Sequence, residues 1–243
     1  MAKIPRDPTE IFPEIIADYK GLFGNELISI ILYGSATGRD YRHGQSDINF
    51  MIVLSEEGIN NLDLAFKTIT KWHRRKVATP LFLTKFYVES STDVFPIEYL
   101  GFQRSHTLVY GEDILKDLTF KRELIRVQCE REIKGKLLLL RESYLESEGR
   151  GRILKHVIKN SMQAFLAVFD ALLYIKGLEI PEEKRLKIKA TCETFDMNEE
   201  FFNRLLDIRE QKIKLKESEL RDVFKEYLKE IRGLSRIVDE LGG

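Results

Sequence analysis

Between residues 28 and 54 the chain passes from an apolar run to a polar break and back to an apolar run, and this stretch limits the folds open to it. Residues 28–33 (ISIILY) are short, apolar and rich in β-branched side chains, which suits a buried strand. Gly34-Ser35 ends the run. Glycine lets a backbone approach a ligand closely, and successive free N–H groups in such a turn can hold a phosphate. A polar connection follows, and then residues 46–54 (SDINFMIVL). Side chains alternate between the two faces of a strand. Asp47 and Asn49 are therefore expected to point one way at the strand's start, while Ile48, Phe50, Ile52 and Leu54 point the other way into a core.

That arrangement resembles the nucleotidyltransferase superfamily of polymerase-β type. Its pattern is an apolar strand, a Gly-Ser turn and a second strand bearing two acidic residues at i and i+2. Gly34, Ser35 and Asp47 match it, and Asn49 stands where the pattern has a second carboxylate. The resemblance implies a mixed sheet with helices, ATP or another nucleoside triphosphate as substrate, and Mg²⁺ held by Asp47 and Asn49. Two Mg²⁺ ions about 4 Å apart serve such transfers by binding phosphate oxygens and activating a hydroxyl. With an amide at position 49, either two ions or one weakened site is expected. Gly34 and Ser35 would hold the β- and γ-phosphates. A third acidic residue lies on a later strand in the family. Residues 93–102 (DVFPIEYLGF) are read here as that strand, which makes Glu98 the match, as metal ligand or general base. Asp47 and Glu98 are the expected catalytic carboxylates.

The remaining elements of the first half follow from periodicity. A helix is expected over 9–23, capped by Thr9, with Ile11, Ile15, Ile16, Tyr19 and Leu22 on its inner face. A second should begin at Asn60 or Asn61 and present Leu62, Ala65, Phe66, Ile69 and Trp72, with the basic run His73-Arg74-Arg75-Lys76 at its C-terminal end. Residues 81–83 read as a short strand, Thr84 as the cap of a short helix through Ser91, and 107–110 as a final strand.

After Leu118 the character changes. Pro181 is the one proline beyond it, and 3.6-residue patterns run over 119–147, 152–176, 182–194, 198–208 and 218–240. The expected fold class is α+β, with a nucleotidyltransferase-like domain over 1–117 and a helical bundle over 118–243. The second half resembles, in architecture, the helical domains of antibiotic adenylyltransferases. Arg150 and His156 also resemble the nuclease motif of HEPN-type helical domains, although a basic helix start is the plainer reading.

Composition narrows the remaining choices. At 43% hydrophobic and 32% charged residues the chain is globular, and its zero formal charge gives no electrostatic reason to expect a long nucleic acid. Cys129 and Cys192 stand far apart without a CxxC partner and read as buried thiols, and His73 and His106 lack ligand-spaced partners for zinc. No apolar leader or membrane-length run is present, so a reducing, cytoplasmic setting and no membrane partner are expected. The activity implied is transfer of AMP from ATP to a hydroxyl acceptor, which is a small molecule, an RNA end or a protein. The alternative is a catalytically degenerate module that binds nucleotide or a partner. Oligomeric state and the identity of the acceptor are not encoded in any motif.

Overall fold

In a computed structural model, which describes residues 3–38 and 41–241, the two expected strands are β1 (Leu27–Tyr33) and β2 (Asn49–Leu54). They pair antiparallel, with Tyr33 opposite Asn49 and Leu32 opposite Phe50. β3 (Leu81–Thr84) lies parallel to β2, and β4 (His106–Gly111) lies antiparallel to β1. The sheet is therefore mixed, in the order β3-β2-β1-β4.

One face of the sheet is covered by α1 (Phe12–Phe23) and α2 (Phe66–His73). Ile11, Ile15 and Tyr19 recur every four residues, are fully buried and meet Ile30, Leu32, Phe50 and Ile52. The N-terminal cap is Asp7, not Thr9. Its carboxylate accepts from the Thr9 backbone N–H at 2.9 Å, while the Glu10 carboxylate accepts from the Asp7 N–H at 3.2 Å. The helix expected from Asn60 is divided. A 3-10 segment, Gly58–Ala65, is interrupted by non-helical backbone at Asn61 before α2 begins. The Asn60 and Asn61 amides donate back to the carbonyls of Glu56 and Glu57, a local competition that disfavours continuous helix there. Trp72 and Ala65 reach the core, but Phe66 is exposed.

The largest departure from the sequence reading is at residues 93–102. They do not form a strand. After α3 (Lys85–Ser90), capped by Thr84 as expected, the chain forms the helix α4 (Pro96–Arg104). Proline at a helix's first position loses no hydrogen bond and presets φ. Ile97 and Leu100 are buried three residues apart, so the apolar positions read as strand alternation serve a helix equally well.

The chain divides into two compact units. One comprises residues up to Val94 together with Tyr99–Thr119, and the other Phe95–Glu98 together with Phe120 onward. The second is helical: α5 (Arg122–Glu146), α6 (Gly151–Ile175), α7 (Lys184–Phe195), α8 (Glu199–Arg209) and α9 (Glu217–Glu240). The central α6 packs against the other four. Its Phe165 and Phe169 meet Tyr227 of α9 and Phe202 of α8 edge to face. Cys129 and Cys192 are buried in this unit, and burial pushes both thiols up to about 12. Among the described residues no helix is long and apolar enough to cross a membrane.

A charged clasp fastens α1 to α2. Asp18 accepts from the Trp72 indole N–H at 2.9 Å and from the Lys71 ammonium at 2.6 Å, and Glu14 pairs with Lys71 and Arg75. Asp18→Ala should cost about 1–3 kcal/mol in urea unfolding, because the indole N–H is left without its acceptor. The Lys71 hydrogen bond, ahead of Arg75, holds Glu14 below the usual carboxylate range. Its contribution is complete above the unfolded-state value and is lost as pH falls through the lowered folded one. Glu14→Gln should therefore flatten the acid limb of the stability curve while leaving its slope near neutral pH unchanged.

Candidate active site

β1 ends at Tyr33, and Gly34 turns the chain with φ +78°, a conformation that favours glycine. The turn continues as a 3-10 segment, Gly34–Thr37, with Ala36 buried beneath it and Ser35 exposed. Thr37 secures it. Its hydroxyl donates to the Gly34 carbonyl at 2.8 Å and lies 2.7 Å from the Ser105 hydroxyl, just before β4. The next residue, His106, is held by its own surroundings. Its Nδ1 faces the carbonyls of Phe102 and Gln103, and its Nε2 faces the Asp113 carboxylate at 3.1 Å. These contacts make His106 part of the scaffold.

The open side of Gly34 faces Asn49. A Cβ built on Gly34 would lie 3.5 Å from Asn49 Nδ2. Two residues earlier, Asp47 is exposed at the entrance to β2. Between them Ile48 is fully buried. Its N–H donates to the Lys76 carbonyl at 2.9 Å and its carbonyl accepts from the Ala78 N–H at 3.0 Å. Anchoring Ile48 inward turns its two neighbours away from the core. Gly34, Ser35, Asp47 and Asn49 thus gather at one end of the β1–β2 pair. Lys76, which sequence reasoning left within a basic helix end, brings its Nζ to 4.0 Å from Asp47 Oδ1.

Glu98 has surroundings of its own. It lies in the first turn of α4 and belongs with the helical unit. There the buried Gln128 of α5 donates through Nε2 to Glu98 Oε2 at 2.6 Å and accepts the Ile97 N–H through Oε1 at 2.8 Å. One amide therefore holds both the Glu98 carboxylate and an unpaired donor of the α4 N-terminus. No spacing in the sequence marks Gln128, a lone amide within a helical pattern.

Residues of the connection between β1 and β2, and Arg150 and His156 of the helical unit, have local partners. The Arg42 backbone closes a turn with Gln45 and Ser46, and the His43 ring lies 3.3 Å from the Ile4 carbonyl. Arg39 and Asp40 lie outside the described residues. Arg150 donates to the Ser147 carbonyl and pairs with Glu148, while His156 meets Asn160 one turn along α6.

Among the described residues no group of three or more His, Cys, Asp or Glu side chains is arranged to hold a metal ion. The donors at the strand end are the Asp47 carboxylate and the Asn49 amide oxygen. Mg²⁺ is commonly bound by one or two carboxylates, with water and substrate phosphate completing its shell. These donors fit one such ion. A second ion at this strand end would have to share the single Asp47 carboxylate.

No protein-family model matches the sequence, and no curated protein matches it. The spectinomycin adenyltransferase AAD(9) of Enterococcus faecialis, solved with ATP and spectinomycin, matches in structure with a TM-score of 0.50 over 90% of this chain and 99% of that one, at 14% identity. The fold is that of a nucleotidyltransferase. In this nucleotidyltransferase fold the glycine turn and the start of β2 depend on backbone geometry, which can be tested directly. Gly34→Ala should destabilise by about 1–2 kcal/mol, the cost of left-handed backbone for a residue with a Cβ. The added methyl makes only an ordinary contact with Asn49, so Gly34→Asn, whose side chain tolerates that backbone, should lose less in the same urea titration. Gln128→Ala should cost about 1–3 kcal/mol by stranding the Ile97 N–H.

Proposed function

We propose that this protein is a nucleotidyltransferase that transfers AMP from ATP to a hydroxyl of a small-molecule acceptor. The observation that carries the reading is the meeting of the Gly34 turn with Asn49 and Asp47 at one end of the β1–β2 pair. The fold shared with an adenyltransferase solved with ATP and spectinomycin supports it. The positive-φ turn at Gly34-Ser35 offers backbone N–H groups and a hydroxyl to the β- and γ-phosphates. The acceptor oxygen attacks the α-phosphorus, the bond from that phosphorus to the bridging oxygen breaks, and pyrophosphate leaves. The acceptor's proton passes to a general base as the new bond forms. Asp47 and Asn49 are the residues that hold Mg²⁺, which supplies charge neutralisation for the triphosphate.

A second reading has its own observation. An amide at position 49 removes a negative charge where the family pattern has one, and a site weakened in this way serves binding instead of turnover. Asn49→Asp separates the two. Under the degenerate reading, this substitution creates or greatly increases release of pyrophosphate from ATP. Under the enzymatic reading, the wild type already releases it when acceptors carrying hydroxyls are supplied.

Calorimetric titration of ATP, with and without Mg²⁺, tests the common core of both. The wild type should bind ATP more tightly with Mg²⁺, and Asp47→Ala should weaken binding about tenfold or more, the loss expected for one charged contact. Absence of binding to the wild type under either condition would overturn the proposal.

A further inference from the structure

α2 ends in a hydrogen-bonding pattern that normally takes glycine. The Lys76 N–H donates to the His73 carbonyl at 3.2 Å and the Val77 N–H donates to the Trp72 carbonyl at 3.2 Å, while Val77 and Trp72 are both buried. These are the two bonds and the apolar contact of a Schellman ending, and residue 76 occupies its left-handed position. Lys76 holds φ +63° there. Four non-glycine residues have positive φ among the described residues, the others being Glu148, Asp196 and Gln211. Lys76 differs from them in its neighbour, since its Nζ lies 4.0 Å from Asp47.

Stability does not account for a lysine at this place. The pair is open to solvent, with 44% of the Lys76 side chain and 64% of the Asp47 side chain exposed, and such pairs contribute little. Strained backbone persists where the surroundings over-determine it, and it clusters at functional sites. Here the surroundings belong to the candidate site. The Lys76 carbonyl accepts from Ile48, the residue between Asp47 and Asn49, so the lysine's backbone is tied to the strand that carries both. Three of its neighbours are engaged elsewhere. Lys71 and Arg75 pair with acidic residues of α1, and His73 meets Thr79.

Charge points in the same direction. A nucleoside triphosphate brings several negative charges toward a strand end that already carries Asp47. One divalent ion leaves a net negative charge on the bound nucleotide, and no second carboxylate on this strand calls for a second ion. An ammonium on a flexible four-carbon stem beside Asp47 can supply the missing positive charge to phosphate oxygens.

We propose that Lys76 is a binding residue of the nucleotide site: it receives the β- and γ-phosphates of the incoming triphosphate and holds Asp47 when they are absent. This rests on the function proposed above. The test is calorimetric titration of Mg·ATP, ATP and AMP against wild type, Lys76→Gly and Lys76→Arg, with a thermal melt of each protein. Glycine suits the left-handed backbone, so Lys76→Gly should melt no lower than the wild type. It should bind Mg·ATP about tenfold or more weakly, while AMP, which lacks the outer phosphates, changes much less. Lys76→Arg should retain Mg·ATP binding. Equal Mg·ATP affinity in the wild type and Lys76→Gly would overturn the role of Lys76 and leave the proposed function standing. Equal loss in both variants would also overturn it, because the charge would then be irrelevant. A wild type that binds no ATP would overturn the proposed function, and this inference with it.

Discussion

The register of β1 on β2 is the constraint on which the candidate site depends. Because side chains alternate, a slip of one residue would bring Asp47 and Asn49 into the core and expel Ile48. Two interactions oppose that slip. Ile48 is buried completely, and its peptide groups are bonded on both sides to the segment 76–78. The core behind it, where Ile11, Ile15 and Tyr19 meet Phe50 and Ile52, holds the strand in place along its length. The polar residues at the strand end are therefore presented by apolar ones.

The second layer of support is the joining of helix ends to strand ends. The clasp of Asp18, Glu14, Lys71 and Arg75 around Trp72 fixes α2 on α1, and the Schellman ending after Trp72 delivers Val77 to its bridge with Ile48. On the opposite edge of β1, Thr37 and Ser105 join the glycine turn to the entry of β4. The turn is thus braced by a hydroxyl pair instead of by a long connection.

Legibility from sequence followed how local each signal was. β1, β2 and the five long helices could be read because their apolar periodicity is strong and uninterrupted. The placement of Asp47 and Asn49 at the start of β2 could be read because their spacing follows strand alternation, and that of the Gly34 turn because it closes an apolar run. The stretch around Glu98 was misread because Ile97, Tyr99 and Leu100 satisfy a period of 2 and a period of 3.6 over so few residues, and Pro96 is as suitable for a helix start as for a strand edge. The N-terminal cap shifted from Thr9 to Asp7 because both residue types cap, and only the observed geometry selects between them. Gln128 and Lys76 could not be found from spacing. Their partners are 30 and 29 residues away in the chain, and nothing in a single sequence marks such a pair.

The strand order also bears on how this sheet meets its own copies. Its edges are β3, four residues long and entered through Pro80, and β4, six residues long. β4 closes on Gly111, where a Cβ would come within 1.9 Å of the Ile28 carbonyl oxygen, so its last residue is drawn tightly onto β1. Short margins, a proline at one entrance and a pinched end at the other give a further strand little to pair with. The long, apolar strands β1 and β2, which in isolation carry the composition of an aggregating segment, lie in the interior of the sheet where no neighbouring molecule can extend them.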